Sequence, residues 1–418
     1  MPLLSRTSAF ARVTALAAQR PVHAAFSWMH RNPKRIMDWQ AEVVAIPAPP
    51  HGEAERSAWL VARFIEAGLS GVETDEAGNV FGTLPAADLP LESTGPIVLL
   101  SAHLDTVFPA GTRLDPIVVG DRLIAPGASD NGAGVAGMLA LAHALVHANA
   151  QLPAPLVFAG NVGEEGEGDL RGVRQIYNRS PLAGRIAAHI VLDGAGADTA
   201  VIQALGSRRF KIAISGPGGH SFTDAGRPNP IAALASALVI LAEIPQMDEP
   251  RTTINLGTIS GGTSVNSIPE SAQASVDFRS TATEQLIRLE VALHRAVEDS
   301  VAHWNKRAGI TYDARAALRF SIVKIGERPA GHLPADSPLR DALDAVDRHL
   351  GLRADLRMGS TDANLPLSLG VPAVSLGAGG EGGGAHTLGE WYSAHGREIG
   401  LRRVLLLALA MLDWAATR

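Results

Sequence analysis

The chain has 418 residues, enough for two domains rather than one core. Acidic residues number 42 against 36 Lys and Arg, a formal net charge of -6, and no basic block occurs, which argues against a nucleic-acid footprint. There are no cysteines, so disulfides, thiolate catalysis and Cys-ligated zinc are excluded, and a metal site would have to use His and carboxylates.

Residues 1–25 carry Arg6, Arg12 and Arg20 within an Ala-rich stretch. The arginines interrupt the apolar middle that a signal peptide needs, so an N-terminal helix or tail and a cytoplasmic location are expected. No run approaches the ~18 apolar residues of a membrane span. Residues 22–47 pattern as a helix with Trp28, Met29, Ile36, Trp39 and Val43 on one face, ended by Pro47 and the prolines after it. A second helix is expected over 53–67, a hairpin over 72–84 with its turn at Gly78-Asn79, and a buried strand over 96–100. A further hairpin follows at 111–125. The Gly-rich loop 127–134 feeds a helix over 135–147, and short buried strands stand at 156–160 and 190–193. Strand and helix alternation of this kind implies an α/β fold, a mostly parallel sheet with helices on both faces.

The pattern changes near Gly206. Strand 210–214, helix 229–244, strands 252–259 and 272–279, helix 283–306 and strand 317–323 spell β-α-β-β-α-β, an α+β ferredoxin-like unit. From Pro334 the first pattern resumes, with helix 337–350, strand 371–376 and a terminal helix 396–415. The expected organisation is a catalytic domain in two segments, 1–206 and 327–418, with a smaller domain inserted at 207–326.

His103 and Asp105 stand just past the strand that ends near Leu100. Alternating residues there point the same way, so one can act while the other orients it. His103, Asp130, Glu164, Glu165, Asp193 and His386 fall in loops or at strand ends, where α/β sheets gather function. Two imidazoles with carboxylates and no thiol suit Zn²⁺ or a similar ion. Adjacent Glu164 and Glu165 diverge, so one can ligate while the other serves as a base. Gly377–Gly382 matches G-x-G-x-x-G, but no helix opens there, and a dinucleotide site is rejected. His143 and His147 lie four apart without the H-E-x-x-H pattern and read as helix-end histidines.

These motifs occur in order: S-A-H-L-D-T at 101–106, G-A-S-D-N-G at 127–132, G-E-E-G at 163–166, Asp193, S-G-P-G-G-H-S at 215–221 and A-H-T at 385–387. Together they resemble the zinc-dependent exopeptidase and deacylase family that includes peptidase T, glutamate carboxypeptidase, acetylornithine deacetylase and succinyl-diaminopimelate desuccinylase. The resemblance spans nearly the whole chain. It implies two divalent metals per subunit, most often zinc, with Co or Mn as substitutes. His103 and Asp193 would bind one, Glu165 and His386 the other, and Asp130 would bridge them. Glu164 would be the general base, Asp105 the group behind His103, and the Asp130–Asn131 peptide would be cis. The inserted domain would be a lid and dimerisation domain. His220 would reach the partner's active site and stabilise the oxyanion, while Asn266 and Arg279 would contact substrate.

Asp rather than Glu at 193 resembles the aminopeptidase and dipeptidase side of the family, and G-S-T-D-A-N at 359–364 resembles the peptidase T-like branch. The expected activity is amide hydrolysis of small peptides by a homodimer, without nucleic-acid or membrane partners. Two alternatives are an N-acyl amino acid deacylase and a non-catalytic binding protein with a vestigial site.

Overall fold

The computed structural model describes residues 8–87, 94–310 and 315–418. The chain divides into two compact units, one made of residues 1–204 and 332–418 and the other of residues 205–331. The inserted unit is slightly wider than 207–326, because its first strand already starts at Gly206 and its last runs on to Arg328.

The larger unit begins with α1 (Ala9–Ala17), α2 (Arg20–Arg31), α3 (Pro33–Val44) and α4 (Ala54–Ala67). The single helix expected over 22–47 is therefore two. The chain breaks at Asn32, whose side chain donates to the Trp28 carbonyl at 2.7 Å, and Pro33 opens the next helix where its missing N–H costs nothing. Next come β1 (Ser70–Thr74), β2 (Val80–Leu84), β3 (Ile97–His103), β4 (Ile117–Val119), β5 (Arg122–Ile124), α5 (Gly132–His147), β6 (Leu156–Asn161), α6 (Arg171–Asn178), β7 (Ile186–Leu192) and β8 (Thr199–Ala204).

The inserted unit contains β9 (Gly206–Ser215), β10 (Gly219–His220), α7 (Pro230–Ala242), β11 (Met247–Asp248), β12 (Arg251–Gly261), β13 (Ser267–Ile268), β14 (Ser271–Ser280), α8 (Thr283–Arg307) and β15 (Arg319–Arg328). After the return, at β16 (Gly331–His332), come α9 (Pro338–Leu350), β17 (Asp355–Gly359), α10 (Asn364–Ser368), β18 (Ala373–Leu376), β19 (Glu381–Gly383), β20 (Trp391–Ser393) and α11 (Arg397–Ala415).

The main sheet runs β1-β2-β6-β3-β7-β18-β8-β16, with β17 also paired to β8. Its centre, β6-β3-β7-β18, is parallel, and antiparallel neighbours flank it. Alternation along β3 sends Val98, Leu100 and Ala102 into one core with α5 and α11, and Ile97 and Leu99 into another with α6. Helices therefore cover both faces, so the polar ends of the parallel strands are where side chains can gather for chemistry. In the inserted unit the antiparallel order β12-β14-β9-β15, with α7 and α8 packed on it, is the ferredoxin-like arrangement.

Candidate metal centre and active site

His103 ends β3 and is buried. Its Nδ1 donates to the Asp105 carbonyl oxygen at 3.0 Å, which leaves Nε2 free to act as a donor atom. That Nε2 lies 3.0 Å from Asp130 Oδ1 and 3.8 Å from Asp193 Oδ1. The other oxygen of Asp130, Oδ2, lies 3.1 Å from His386 Nε2, and the same nitrogen is 3.1 Å from Glu165 Oε1. One carboxylate thus spans two histidines, each with a second acid beside it. Among the described residues, His103, Asp130 and Asp193 offer ligand atoms within 4.8 Å of one another, as do Asp130, Glu165 and His386, and as do His103, Glu164 and Glu165.

The backbone of each loop is held by a buried side chain. The Asp105 carboxylate accepts the N–H of Glu164 at 3.0 Å and of Glu165 at 2.7 Å. It also stands 3.7 Å from His103 Nδ1, so the Asp105 side chain serves both the imidazole and the Glu164–Glu165 loop. The Asp130–Asn131 peptide is cis, as the resemblance implies. Asn131 caps α5 by accepting the Gly134 N–H at 3.0 Å, and the same Oδ1 takes the Gly194 N–H at 3.1 Å, next to Asp193. Glu390, wholly buried, accepts the N–H groups of Gly127, Ser129 and Asp130 at 2.7–2.8 Å. Sequence reasoning missed Glu390. Its only outward sign is an acid between Gly389 and the apolar pair Trp391-Tyr392, four residues past His386.

The charges of the cluster act on one another. Burial alone would push the His103 imidazole down, but Asp105, Asp130 and Asp193 around it hold its pKa well above the usual value. His386 is raised to about 9, first by its bond to Asp130. Asp130 goes the other way: against the cost of burial, the two histidines depress its carboxyl. Burial raises Glu165. Positive charge is therefore favoured at the two histidines, which the resemblance implies are metal ligands. Nitrogen and oxygen donors at these separations, with loops held by second partners, fit divalent-cation binding in donor chemistry.

With this geometry in place, comparison with known proteins decides the family. The model of peptidase family M20/M25/M40 matches residues 99–410. The chain belongs to this family. It is similar to the YqjE protein of Bacillus subtilis, 24% identical over 366 residues, covering 84% of this chain and 91% of that one. It is also 31% identical over 273 residues to a probable carboxypeptidase of Aspergillus clavatus, covering 59% of this chain and 58% of that one. Its fold matches a tripeptidase from Staphylococcus aureus with a TM-score of 0.74 at 22% identity, covering 93% of this chain and 99% of that one. The aminopeptidase PepT of Bacillus cereus matches with a TM-score of 0.71 at 21% identity over the same shares of the two chains, 93% and 99%. The M20 chain is thus a hydrolytic metallopeptidase, of a metal-dependent family whose His, Asp and Glu cluster is present here.

The remaining expected residues lie in the inserted unit. His220, on β10, is exposed. Its Nδ1 accepts the N–H of Phe222 at 3.2 Å, which puts the ring proton on Nε2, facing away from the turn. Asn266 is its neighbour, because its carbonyl accepts the Ser221 N–H at 3.0 Å and His220 pairs with Ser267. Arg279 does not join them. It donates to Asp277 at 2.7 Å and sits opposite Ser207, at the end of β14 where the chain enters the unit, whereas β10 and β13 lie toward the Ser271 end. Eight residue steps along β14 separate Arg279 from the Ser271 end, about 27 Å.

The peptidase T-like segment contributes a buried acid. Asp362 is wholly buried, and its Oδ2 accepts from Asn161 Nδ2 at 2.7 Å. Burial lifts its pKa to about 7, against the pull of the His103 charge and the Asn161 bond. An acid whose folded pKa is raised adds stability below its unfolded pKa, and that stability is lost as pH rises through about 7. Asp362→Asn, measured as Tm on metal-free protein, is therefore expected to gain several degrees over wild type at about pH 8 and much less at about pH 5. The same gain at both pH values would refute the shift.

Among the described residues, neither His143 nor His147 belongs to a group of ligand atoms that could hold a metal ion. His143 stacks against both Trp28 and Trp39, at ring-centroid distances of 5.6 and 4.7 Å, and burial lowers it to about 4. No helix among the described residues is long and apolar enough to cross a membrane.

Proposed function

We propose that the chain is a di-zinc exopeptidase acting on small peptides near the N-terminus, as an aminopeptidase, tripeptidase or dipeptidase. The observation that carries this reading is the Asp130 carboxylate, whose two oxygens face the Nε2 atoms of two different histidines at 3.0 and 3.1 Å. In this reading His103 and Asp193 would hold one ion and Glu165 and His386 the other, with Asp130 shared between them. When bound, such ions supply Lewis-acid polarisation of the scissile carbonyl and acidify a water.

The protein's own residues do the rest. Glu164 takes the proton from the attacking water and passes it to the leaving amine nitrogen. Asp105 fixes the loop on which Glu164 sits. His220 offers its Nε2–H to the developing oxyanion, Asn266 steadies the substrate beside it, and Arg279 contacts the substrate separately. Because Arg279 and His220 stand at opposite ends of β14, one active site receiving both takes them from two subunits. A homodimer through the inserted unit is supported by β12, whose edge beyond Thr252 has no strand partner among the described residues. Ile259 on that strand and Val239 and Ile240 on α7 are exposed as well.

A substrate panel tests the reading. Protein loaded with Zn²⁺, Co²⁺ or Mn²⁺ is expected to cleave di- and tripeptides with a free amino end. Turnover confined to N-acyl amino acids would replace it with a deacylase. Cleavage confined to the carboxyl end of N-blocked peptides would make the chain a carboxypeptidase, the activity that the Aspergillus relative's name suggests for that protein.

A further inference from the structure

The loop bearing Glu164 and Glu165 is held from one side by Asp105. On its other side lies Arg171, the first residue of α6, which no motif singled out. Gly163, just before Glu164, has φ +68°, and a Cβ built there would stand 2.5 Å from Arg171 Cγ and 2.8 Å from Nε. The Arg171 side chain therefore lies flat against the backbone that launches Glu164. Its guanidinium donates to Glu53 Oε2 and to the Ala77 carbonyl, each at 2.5 Å. Glu53, next to the first residue of α4, has a side chain only 3% exposed.

The loop is closed beneath this arm. Gly168 folds back on Gly163, and Asn79 ties the two ends by accepting the Val162 N–H at 3.1 Å and donating to the Gly172 carbonyl at 3.0 Å. Asp169 (φ 48°) and Leu170 (φ 61°) are left-handed although neither is glycine. These sparsely populated conformations are what swing Arg171 back over the loop. A cavity of about 370 Å³, lined by His51, Glu53, Ser57, Gly78, Val162 and Arg171, opens the ion pair to small solutes.

We propose that Arg171, anchored by Glu53, is a positioning residue that sets the direction in which Glu164 and Glu165 leave their loop. For Glu164 this rests on the exopeptidase reading; for Glu165 it needs only that the cluster binds a cation. A planar guanidinium that reaches two acceptors at once, here the Glu53 carboxylate and the Ala77 carbonyl, is not reproduced by Lys, and groups that orient metal ligands are typically worth about 10–100-fold in affinity or activity.

The experiment compares wild type, Arg171→Ala and Glu53→Gln by Zn²⁺ affinity, by kcat and KM on a cleaved peptide, and by Tm. Arg171→Ala is expected to lower kcat about 10–100-fold with KM within about twofold, and to weaken one of two Zn²⁺ equivalents by a similar factor. Millimolar guanidinium, entering the cavity, restores part of both. Glu53→Gln, which keeps a hydrogen bond, shows a smaller loss of the same kind and serves if Arg171→Ala does not fold. Unchanged kcat and Zn²⁺ affinity would overturn the proposal. So would losses that follow Tm and ignore guanidinium, the mark of a purely structural ion pair. If wild type binds Zn²⁺ but cleaves no peptide, the exopeptidase reading fails while the Zn²⁺ measurements still decide the role of Arg171 toward Glu165.

Discussion

Glu164→Gln is expected to lower kcat by roughly 10²–10⁴-fold while the protein keeps its full metal complement. The side chain is buried, and its N–H is fixed by Asp105, so the isosteric amide stands in place without moving the loop. Gln cannot take the proton of the attacking water, and that step should fail while binding survives. The measurement needs both arms, turnover and metal content after dialysis, because Glu164 lies near enough to His103 and Glu165 to be a ligand itself. Loss of one metal equivalent in Glu164→Gln would exchange the roles of Glu164 and Glu165. The neighbouring geometry favours the roles as given: Glu165 Oε1 is already 3.1 Å from His386 Nε2, the contact a shared ligand set requires.

The site residues were legible in the sequence because each follows a buried strand or a glycine turn. His103 and Asp193 close β3 and β7, the Glu pair follows β6, and Asp130 precedes a helix whose glycines let it pack tightly. What was not legible is the layer behind them. Glu390 caps the Asp130 loop from 260 residues away in sequence, and Asp362 reaches Asn161 across 201. Contacts at such separations leave no periodic trace, since hydrophobic patterning reports only which face of an element is buried. Local backbone was also underdetermined. The Asn32–Pro33 break falls inside a continuous amphipathic pattern, β8 is mixed in burial and β17 is almost wholly exposed, so neither strand stands out. The role given to Asp105 shows the same limit at finer scale. Its spacing from His103 pointed to the imidazole, 3.7 Å away, but not to the two N–H groups 59 and 60 residues on that the same carboxylate accepts, a pairing only the folded sheet brings about.

His220→Ala should lower kcat by about 10²–10³-fold and leave KM within a few-fold, since an oxyanion donor acts in the transition state. The turn is built to present that donor. Asp224 Oδ2 accepts the His220 N–H at 2.7 Å, Asp224 pairs with Arg227 at 2.9 Å, and Arg227 returns to the Gly218 carbonyl at 2.9 Å. With Nδ1 occupied by backbone N–H groups, the ring is held with Nε2–H outward, so little reorganisation is needed when charge develops. If the donor serves the partner's site, mixing it with a base-deficient chain gives a decisive result. Homodimers of Glu164→Gln and of His220→Ala are both nearly inactive. A mixed dimer carries both lesions at one site and neither at the other. Random exchange of equal amounts should therefore restore about one quarter of wild-type turnover. If His220 acts within its own chain, every site in the mixture has one lesion and nothing is recovered. An unchanged kcat in His220→Ala alone would remove the residue from catalysis altogether.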